Sequence, residues 1–323
     1  MPQTDEQLTK YLTDVHSIEL QALAQLRRAP DIAGDPELAT VFADHLTETE
    51  EHERRVRQRL EDRGADPSKT KDLIARVTGF GMVLFARSQP DTPGKLTAHA
   101  FSYEHMELAA YELLALVAER AGDLQTVEVA RSIGAQEAAM AQRLAANFDR
   151  AVTASLAEVD PEDIHGQLVK YLADAHAIES QAIQLLQGGP RIAGEPGLAE
   201  AFARHLEETR AQRASVEARL DAHDAEPSSL QSAALRVGGL NVGGFFAAQP
   251  DTPAKLAAFA FAFEHLEIAG YEELVRVAER AGDQDTVVTA RRIIEEEHAA
   301  ARAIRDRFEP AVAAALESQG VAP

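Results

Sequence analysis

The chain is written twice. The segment YLTDVHSIELQAL (Tyr11 to Leu23) returns as YLADAHAIESQAI (Tyr171 to Ile183), and Gln89 to Asp123 returns as Gln249 to Asp283, about two-thirds identical, at the same offset of 160 positions. A period this long exceeds the roughly 20–50 residues of solenoid units, so the duplicated object is a whole folding unit. Each copy must close its own core within about 160 residues, a size at which one core is comfortable. The predicted domains are residues 1–158 and 159–323, with Glu158 to His165 (EVDPEDIH) as the linker.

Composition narrows the class. Alanine, leucine, glutamate and arginine dominate, a mixture suited to long, closely packed helices. With no cysteine, disulfides, thiolate metal sites and cysteine nucleophiles are excluded. The net charge of −21 opposes nucleic-acid binding, because phosphates would be repelled. No signal-like segment or long apolar run stands out, so a soluble, cytoplasmic protein without a membrane span is expected. Gly238, Gly239, Gly243 and Gly244 lack the basic residue and strand context of a phosphate loop.

Break signals divide the first copy into four long helices, approximately Asp5–Arg28, Pro36–Arg63, Pro93–Ala121 and Asp123–Leu156. Thr92 is the expected cap of the third, with Pro93 at its first position. The second copy repeats these breaks at Gly189-Pro190, Glu226-Pro227, the pair Pro250/Pro253 and Gly282-Asp283. An apolar connection, Leu73 to Arg87, joins helices two and three, and its counterpart Val237 to Phe246 is glycine-rich. The predicted fold class is therefore all-α: two tandem ferritin-like four-helix bundles, each with a crossover connection between helices 2 and 3.

Helical phase then places acids where apolar residues belong. Helix one aligns Leu8, Leu12, Val15, Glu19, Ala22 and Leu26 on one face, and helix two aligns Leu38, Val41, His45, Glu48, His52, Val56 and Leu60. Helix three aligns Ala100, Glu104, Glu107, Tyr111, Leu114 and Ala118; helix four aligns Ile133, Glu137, Met140, Leu144 and Phe148. The second copy repeats the acids as Glu179, Glu208, Glu264, Glu267 and Glu297. Burying one unpaired carboxylate costs several kcal/mol, and like charges add repulsion. No basic residue is evident at the level of the glutamates, so one or two divalent cations are the natural neutraliser. Oxygen donors from four helices suit iron or manganese.

The combination DVHSIELQAL, HLTETEEH, YEHMELAAYELL and QEAAM, returning as DAHAIESQAI, HLEETRAQ, FEHLEIAGYEEL and EEHAA, resembles the YciF-like, ferritin-like stress protein family across nearly all of both copies. The resemblance implies a ferritin-like fold related to rubrerythrins, a di-metal centre in each copy with two iron or manganese ions, and pairing of domains or subunits. Carried onto this chain, the ligands are Glu19, Glu48, Glu104, Glu107 and Glu137, with His52 as a candidate, and in the second copy Glu179, Glu208, Glu264, Glu267 and Glu297, with Gln212 at the place of His52. Ferritin-like centres use Glu-x-x-His on two helices. Here Glu48 is followed by Glu51 or His52, and Glu137 by Met140. The centres are thus carboxylate-rich and histidine-poor, unequal, and more complete in the first copy.

Several residues carry blander expectations. His16, His176, His45 and His205 are assigned to packing or polar satisfaction. His105 and His265 are expected to orient a ligand, and Tyr111 and Tyr271 to pack within reach of a ligand carboxylate. Glu295 and His298 match Glu-x-x-His in spacing, but Glu295 points away from the stripe. The function expected is iron, oxygen or peroxide chemistry in stress, carried out by an intramolecular pseudo-dimer open to further homo-oligomerisation. The competing reading is a non-enzymatic scaffold whose acids bind metal structurally or not at all.

Overall fold

The computed structural model describes residues 2–67, 93–226 and 251–321. Among them are eleven α-helices and no strand. In the first repeat these are α1 (Pro2–Leu26), α2 (Ala29–Ile32), α3 (Pro36–Asp62), α4 (Pro93–Ala121), α5 (Leu124–Ala145) and α6 (Phe148–Ser155). A 3-10 turn (Pro161–Asp163), started by Asp160 accepting from the Glu162 amide at 3.0 Å, leads into the second repeat. There α7 (Ile164–Ile192), α8 (Pro196–Ala222), α9 (Thr252–Ala281), α10 (Gln284–Arg305) and α11 (Phe308–Ser318) follow the same order. The connections expected at Leu73 to Arg87 and Val237 to Phe246, and the expected Thr92 cap, lie outside the described residues. No helix among the described residues is long and apolar enough to cross a membrane.

Local chemistry sets the helix ends. Asp35 caps α3 by accepting from the amides of Glu37 and Leu38 at 3.0 and 2.9 Å, just ahead of Pro36. Asp123 and Asp283 cap α5 and α10 through the amides of Thr126 and Thr286. Two expected boundaries differ. The single fourth helix is broken at Ala146–Asn147, where the Asn147 side chain donates to the Arg143 carbonyl at 2.7 Å and competes with the helix ladder. In the second repeat, Pro310 two residues into α11 has no N–H to continue a helix from α10. Conversely, α7 runs through the expected break at Pro190 and stops at Ile192. Gly189 there lets the Phe202 ring approach to where a Cβ would lie only 2.7 Å away.

Within each repeat the long helices pack side by side: α1 on α3 and α4, α4 on α5, and α3 on α5, with the same pairings from α7 to α10. The repeats meet along α4 and α9, related by a pseudo-twofold axis. Ser102 donates to the carbonyl of Ala262, its own counterpart, at 2.7 Å. His105 and His265, again counterparts, stack with ring centres 3.5 Å apart and planes 15° apart. Lys255 pairs with Asp14 at 2.8 Å and Lys95 with Asp174 at 3.0 Å, one exchanged pair on each side. Such reciprocity is the mark of an isologous contact.

One glycine position is used twice. Gly34 and Gly194 have φ of +65° and +66°, and a Cβ on either would lie 2.8 or 2.7 Å from the ring of Pro93 or Pro253. Alanine at either position is expected to destabilise by about 2–4 kcal/mol, combining left-handed strain with overpacking. Gly122→Ala, at φ +70° with open space around it, should cost only about 1–2 kcal/mol. Thermal midpoints of the three variants test the ranking.

Candidate metal centre

Four long helices converge at mid-length. In the first repeat α1 brings Glu19, α3 His45 and His52, α4 Glu104 and Glu107, and α5 Glu137, all buried. Two donor groups form around a shared carboxylate: His45, Glu104, Glu107 and Glu137, and Glu19, His52 and Glu137, with the donor atoms of each group within 4.8 Å of one another. His45 Nε2 lies 3.1 Å from Glu104 Oε1 and 3.9 Å from Glu137 Oε2; His52 Nδ1 lies 2.8 Å from Glu137 Oε1. In the second repeat His205, Glu264, Glu267 and Glu297 form one such group, with His205 Nε2 2.8 Å from Glu264 Oε2 and 3.2 Å from Glu297 Oε2.

The donors are held by a ring of partners. Tyr111 donates to Glu19 and Tyr271 to Glu179, both through short contacts. His45 Nδ1 meets Glu48 Oε2 at 3.1 Å, and Arg143 binds the same carboxylate from the other side. With Nδ1–H donating outward, His45 presents its Nε2 lone pair inward, the carboxylate–histidine arrangement that surrounds protein metals. His52 Nε2 meets Gln136 Oε1 at 3.2 Å and likewise turns Nδ1 inward.

Most of the inward atoms have no hydrogen-bond partner. Both oxygens of Glu107 and Glu137, one each of Glu19 and Glu104, and His52 Nδ1 are buried without one. The 2.8 Å approach of His52 Nδ1 to Glu137 is close enough for a hydrogen bond yet not aligned as one. Atoms bound to one cation at about 2.1 Å sit about 3 Å apart without bonding to each other, which is the spacing seen. Buried polar atoms are almost always paired, so this concentration of orphaned acceptors fits a divalent cation.

Titration follows from the crowding. Burial and neighbouring carboxylates raise Glu19 and Glu107 well above the carboxylate range. Burial pushes Glu104 up to about 7 against the pull of His45, and Glu264 up to about 8 against His205. Burial alone would lower His45, but Glu104 and Glu137 outweigh it and raise the imidazole to about 9. Protons on these groups can thus offset the crowding of carboxylates.

The residues expected in the centre divide. Glu19, His52, Glu104, Glu107 and Glu137 come together, as do Glu264, Glu267 and Glu297, and Glu179 points inward beside Tyr271. Glu48 and Glu208 do not join the groups: their side chains are 33% and 45% exposed. The inward stripe of α3 is Leu38, Phe42, His45, Thr49, His52, Val56 and Leu60, one residue away from the expected Val41 and Glu48. His45 and His205, expected only to pack, therefore occupy the position foreseen for the glutamates, and a basic residue does stand at their level. An unbroken four-and-three spacing from Leu38 to Leu60 was the signal that identifies it.

Other residues settle outside. Glu51 pairs with Arg54 at the surface and Glu295 is exposed. Gln212, by contrast, is fully buried, its amide nitrogen donating to Glu296 Oε2 at 3.1 Å and its Oε1 left without a partner. His105 and His265 orient no ligand. They stack across the repeat interface, and each Nδ1 donates 2.7 Å to the carbonyl of Phe101 or Phe261. His16 and His176 pair with Glu53 and Glu217 at 2.9 and 3.0 Å.

Helices alone, written twice, with a buried cluster of glutamate and histidine donors in each copy, define an all-α tandem-repeat protein with two candidate metal sites. The model of one family, described as a domain of unknown function (DUF892), matches residues 3–157 and again 163–317, and the chain belongs to that family. No solved structure matches the chain.

In chelator-stripped protein the folded state keeps protons on Glu104 and Glu264 that an unfolded chain releases near 4.5. His45 acts in the same direction, holding its proton to about 9 against 6.5 when unfolded. Their stabilisation is complete at low pH and is lost as pH rises through 7 to 9. The stripped protein should lose several degrees in Tm between pH 5 and pH 8. Added manganese should restore more at pH 8 than at pH 6, because ligands must shed protons to bind it. A manganese effect independent of pH would contradict this assignment.

Proposed function

We propose that each repeat is a ferritin-like four-helix bundle, that residues 1–158 and 159–323 are the two domains, and that the bundles carry carboxylate-rich iron or manganese centres acting on oxygen, peroxide or ferrous iron during stress. The observation that carries this is Glu107 with Glu137, and Glu267 with Glu297: two facing carboxylates per repeat whose four oxygens are buried without a hydrogen-bond partner. Among the described residues, the layers on either side of the donors are apolar.

In this reading Glu19, His45, His52, Glu104, Glu107 and Glu137 hold metal in the first repeat, with Glu137 common to both positions. His205, Glu264, Glu267 and Glu297 hold it in the second. Bound iron or manganese supplies redox chemistry toward oxygen or peroxide. The chain supplies fixed ligands. Tyr111 holds Glu19 in one rotamer, and the Arg143–Glu48 pair keeps the His45 ring facing inward. Val15 and Val56 on one side, with Ala22, Phe42 and Met140 on the other, keep the layers above and below the donors apolar.

Protein purified without chelator should contain iron or manganese by elemental analysis. Glu107→Ala combined with Glu267→Ala should lower metal affinity by at least tenfold while the helical signal in circular dichroism persists. The ferrous form should react with oxygen or peroxide faster than this variant does. Wild-type protein that is free of metal, and unmoved in Tm by added iron or manganese, would leave the carboxylates with a structural, proton-satisfied role. Metal without a faster reaction would leave a non-enzymatic metal-binding protein.

A further inference from the structure

Two of the differences between the centres form a coupled pair. In the first repeat His52 and Gln136 face each other: Gln136 Oε1 lies 3.2 Å from Nε2, so Nε2 carries the proton and Nδ1 offers its lone pair beside Glu137. In the second repeat the equivalent positions are Gln212 and Glu296. Both members of the pair differ between the repeats. A carboxylate now stands where the amide acceptor was, and it fixes the Gln212 amide by accepting from its nitrogen at 3.1 Å. That leaves Gln212 Oε1 buried and without a partner, alongside Glu179 Oε2 and both oxygens of Glu297. The position lined by Glu19, His52 and Glu137 in one repeat is lined by Glu179, Gln212 and Glu297 in the other.

The consequence is chemical. An imidazole nitrogen is a good donor to iron, cobalt and zinc, whereas an amide oxygen is a weak, neutral donor suited to hard cations. The other position is unchanged, since His45, Glu104, Glu107 and Glu137 have the counterparts His205, Glu264, Glu267 and Glu297, gathered as closely.

Resting on the metal-centre reading above, we propose that this chain binds three imidazole-preferring ions such as cobalt(II) or zinc tightly, two in the first repeat sharing Glu137 and one in the second, and that the fourth position, Glu179–Gln212–Glu297, is an all-oxygen site with much lower affinity for them. The Gln212–Glu296 pair is what closes the fourth position to these ions. It also offers a way to open it. A histidine at 212 would find Glu296 placed to accept from its Nε2–H, as Gln136 does for His52, and would turn Nδ1 toward Glu297.

The test is a count. Full-length protein stripped by chelator is titrated with cobalt(II), with bound metal measured by elemental analysis after desalting and ligand-field absorption followed in parallel. Wild-type should retain three ions, His52→Gln two and Gln212→His four, the gain in the last variant excluding misfolding as its cause. Four equally tight ions in the wild type would overturn the proposal, as would Gln212→His remaining at three. Two ions in the wild type, unchanged by His52→Gln, would overturn it while leaving one metal centre per repeat intact. A protein that binds no cobalt, iron or manganese would instead remove the metal-centre reading itself.

Discussion

The constraint on which the interior depends is electrostatic: four carboxylates per repeat are buried together, away from bulk solvent. The ionised forms cannot coexist there, because desolvation and mutual repulsion both disfavour charge. One histidine per repeat, His45 or His205, offers a single positive charge, and one tyrosine, Tyr111 or Tyr271, offers a hydroxyl. These satisfy part of the cluster and leave its middle, the Glu107–Glu137 and Glu267–Glu297 pairs, to protons or cations. The cluster also divides each interior in two. Leu8, Leu12, Val15, Val56 and Leu60 lie on one side of it, and Leu26, Leu38, Phe42, Leu144 and Phe148 on the other.

Those apolar layers do not stop at the repeat boundary. The cluster containing Leu8 and Leu60 continues through Leu186, Phe202 and Phe308 of the second repeat. The one containing Phe42 and Phe148 continues through Leu172, Leu220 and Ile293. Each end of one repeat thus shares a core with the opposite end of the other, as the pseudo-twofold axis requires. Helices α4 and α9 carry both halves of the design. Glu104 and Glu107 face the donors of their own repeat, while Ser102 and His105 meet the other repeat at Ala262 and His265. Burial keeps the two stacked imidazoles neutral, His105 down at about 4 and His265 well below the ordinary imidazole value, so the axis carries no like-charge repulsion.

Much of this was legible from spacing. The stripes of α1, α4 and α5 read correctly because long apolar runs on both sides of Glu19, Glu107 and Glu137 fix the phase. Helix α3 misled because Val41 and Phe42 are adjacent apolar choices for one slot, and Glu48 and Thr49 adjacent polar ones. An acid at 48 looked like a ligand, whereas the three-dimensional arrangement uses it to orient His45. The stacking of His105 on His265 had no signal in one copy alone. It arises from the pairing of two copies, which periodicity within a helix cannot reveal.

Fusion explains why the centres can differ. In a symmetric homodimer every substitution appears in both sites, so a loss at position 52 would remove an imidazole from each. In a tandem chain the two copies can differ, and several differences lie around the donors. Gln212 stands opposite His52, Glu296 opposite Gln136, and Ala303 opposite Arg143, which leaves Glu208 without the guanidinium that holds Glu48. The first two form a compensated pair whose hydrogen bond survives with its direction kept, residue 52 or 212 donating and residue 136 or 296 accepting. The third loosens the support of His205 but leaves its Nδ1 contact to Glu208 in place at 3.1 Å. What the two repeats share is thus the histidine-plus-three-glutamate group between the apolar layers, while beside it an imidazole in one repeat stands against an amide in the other.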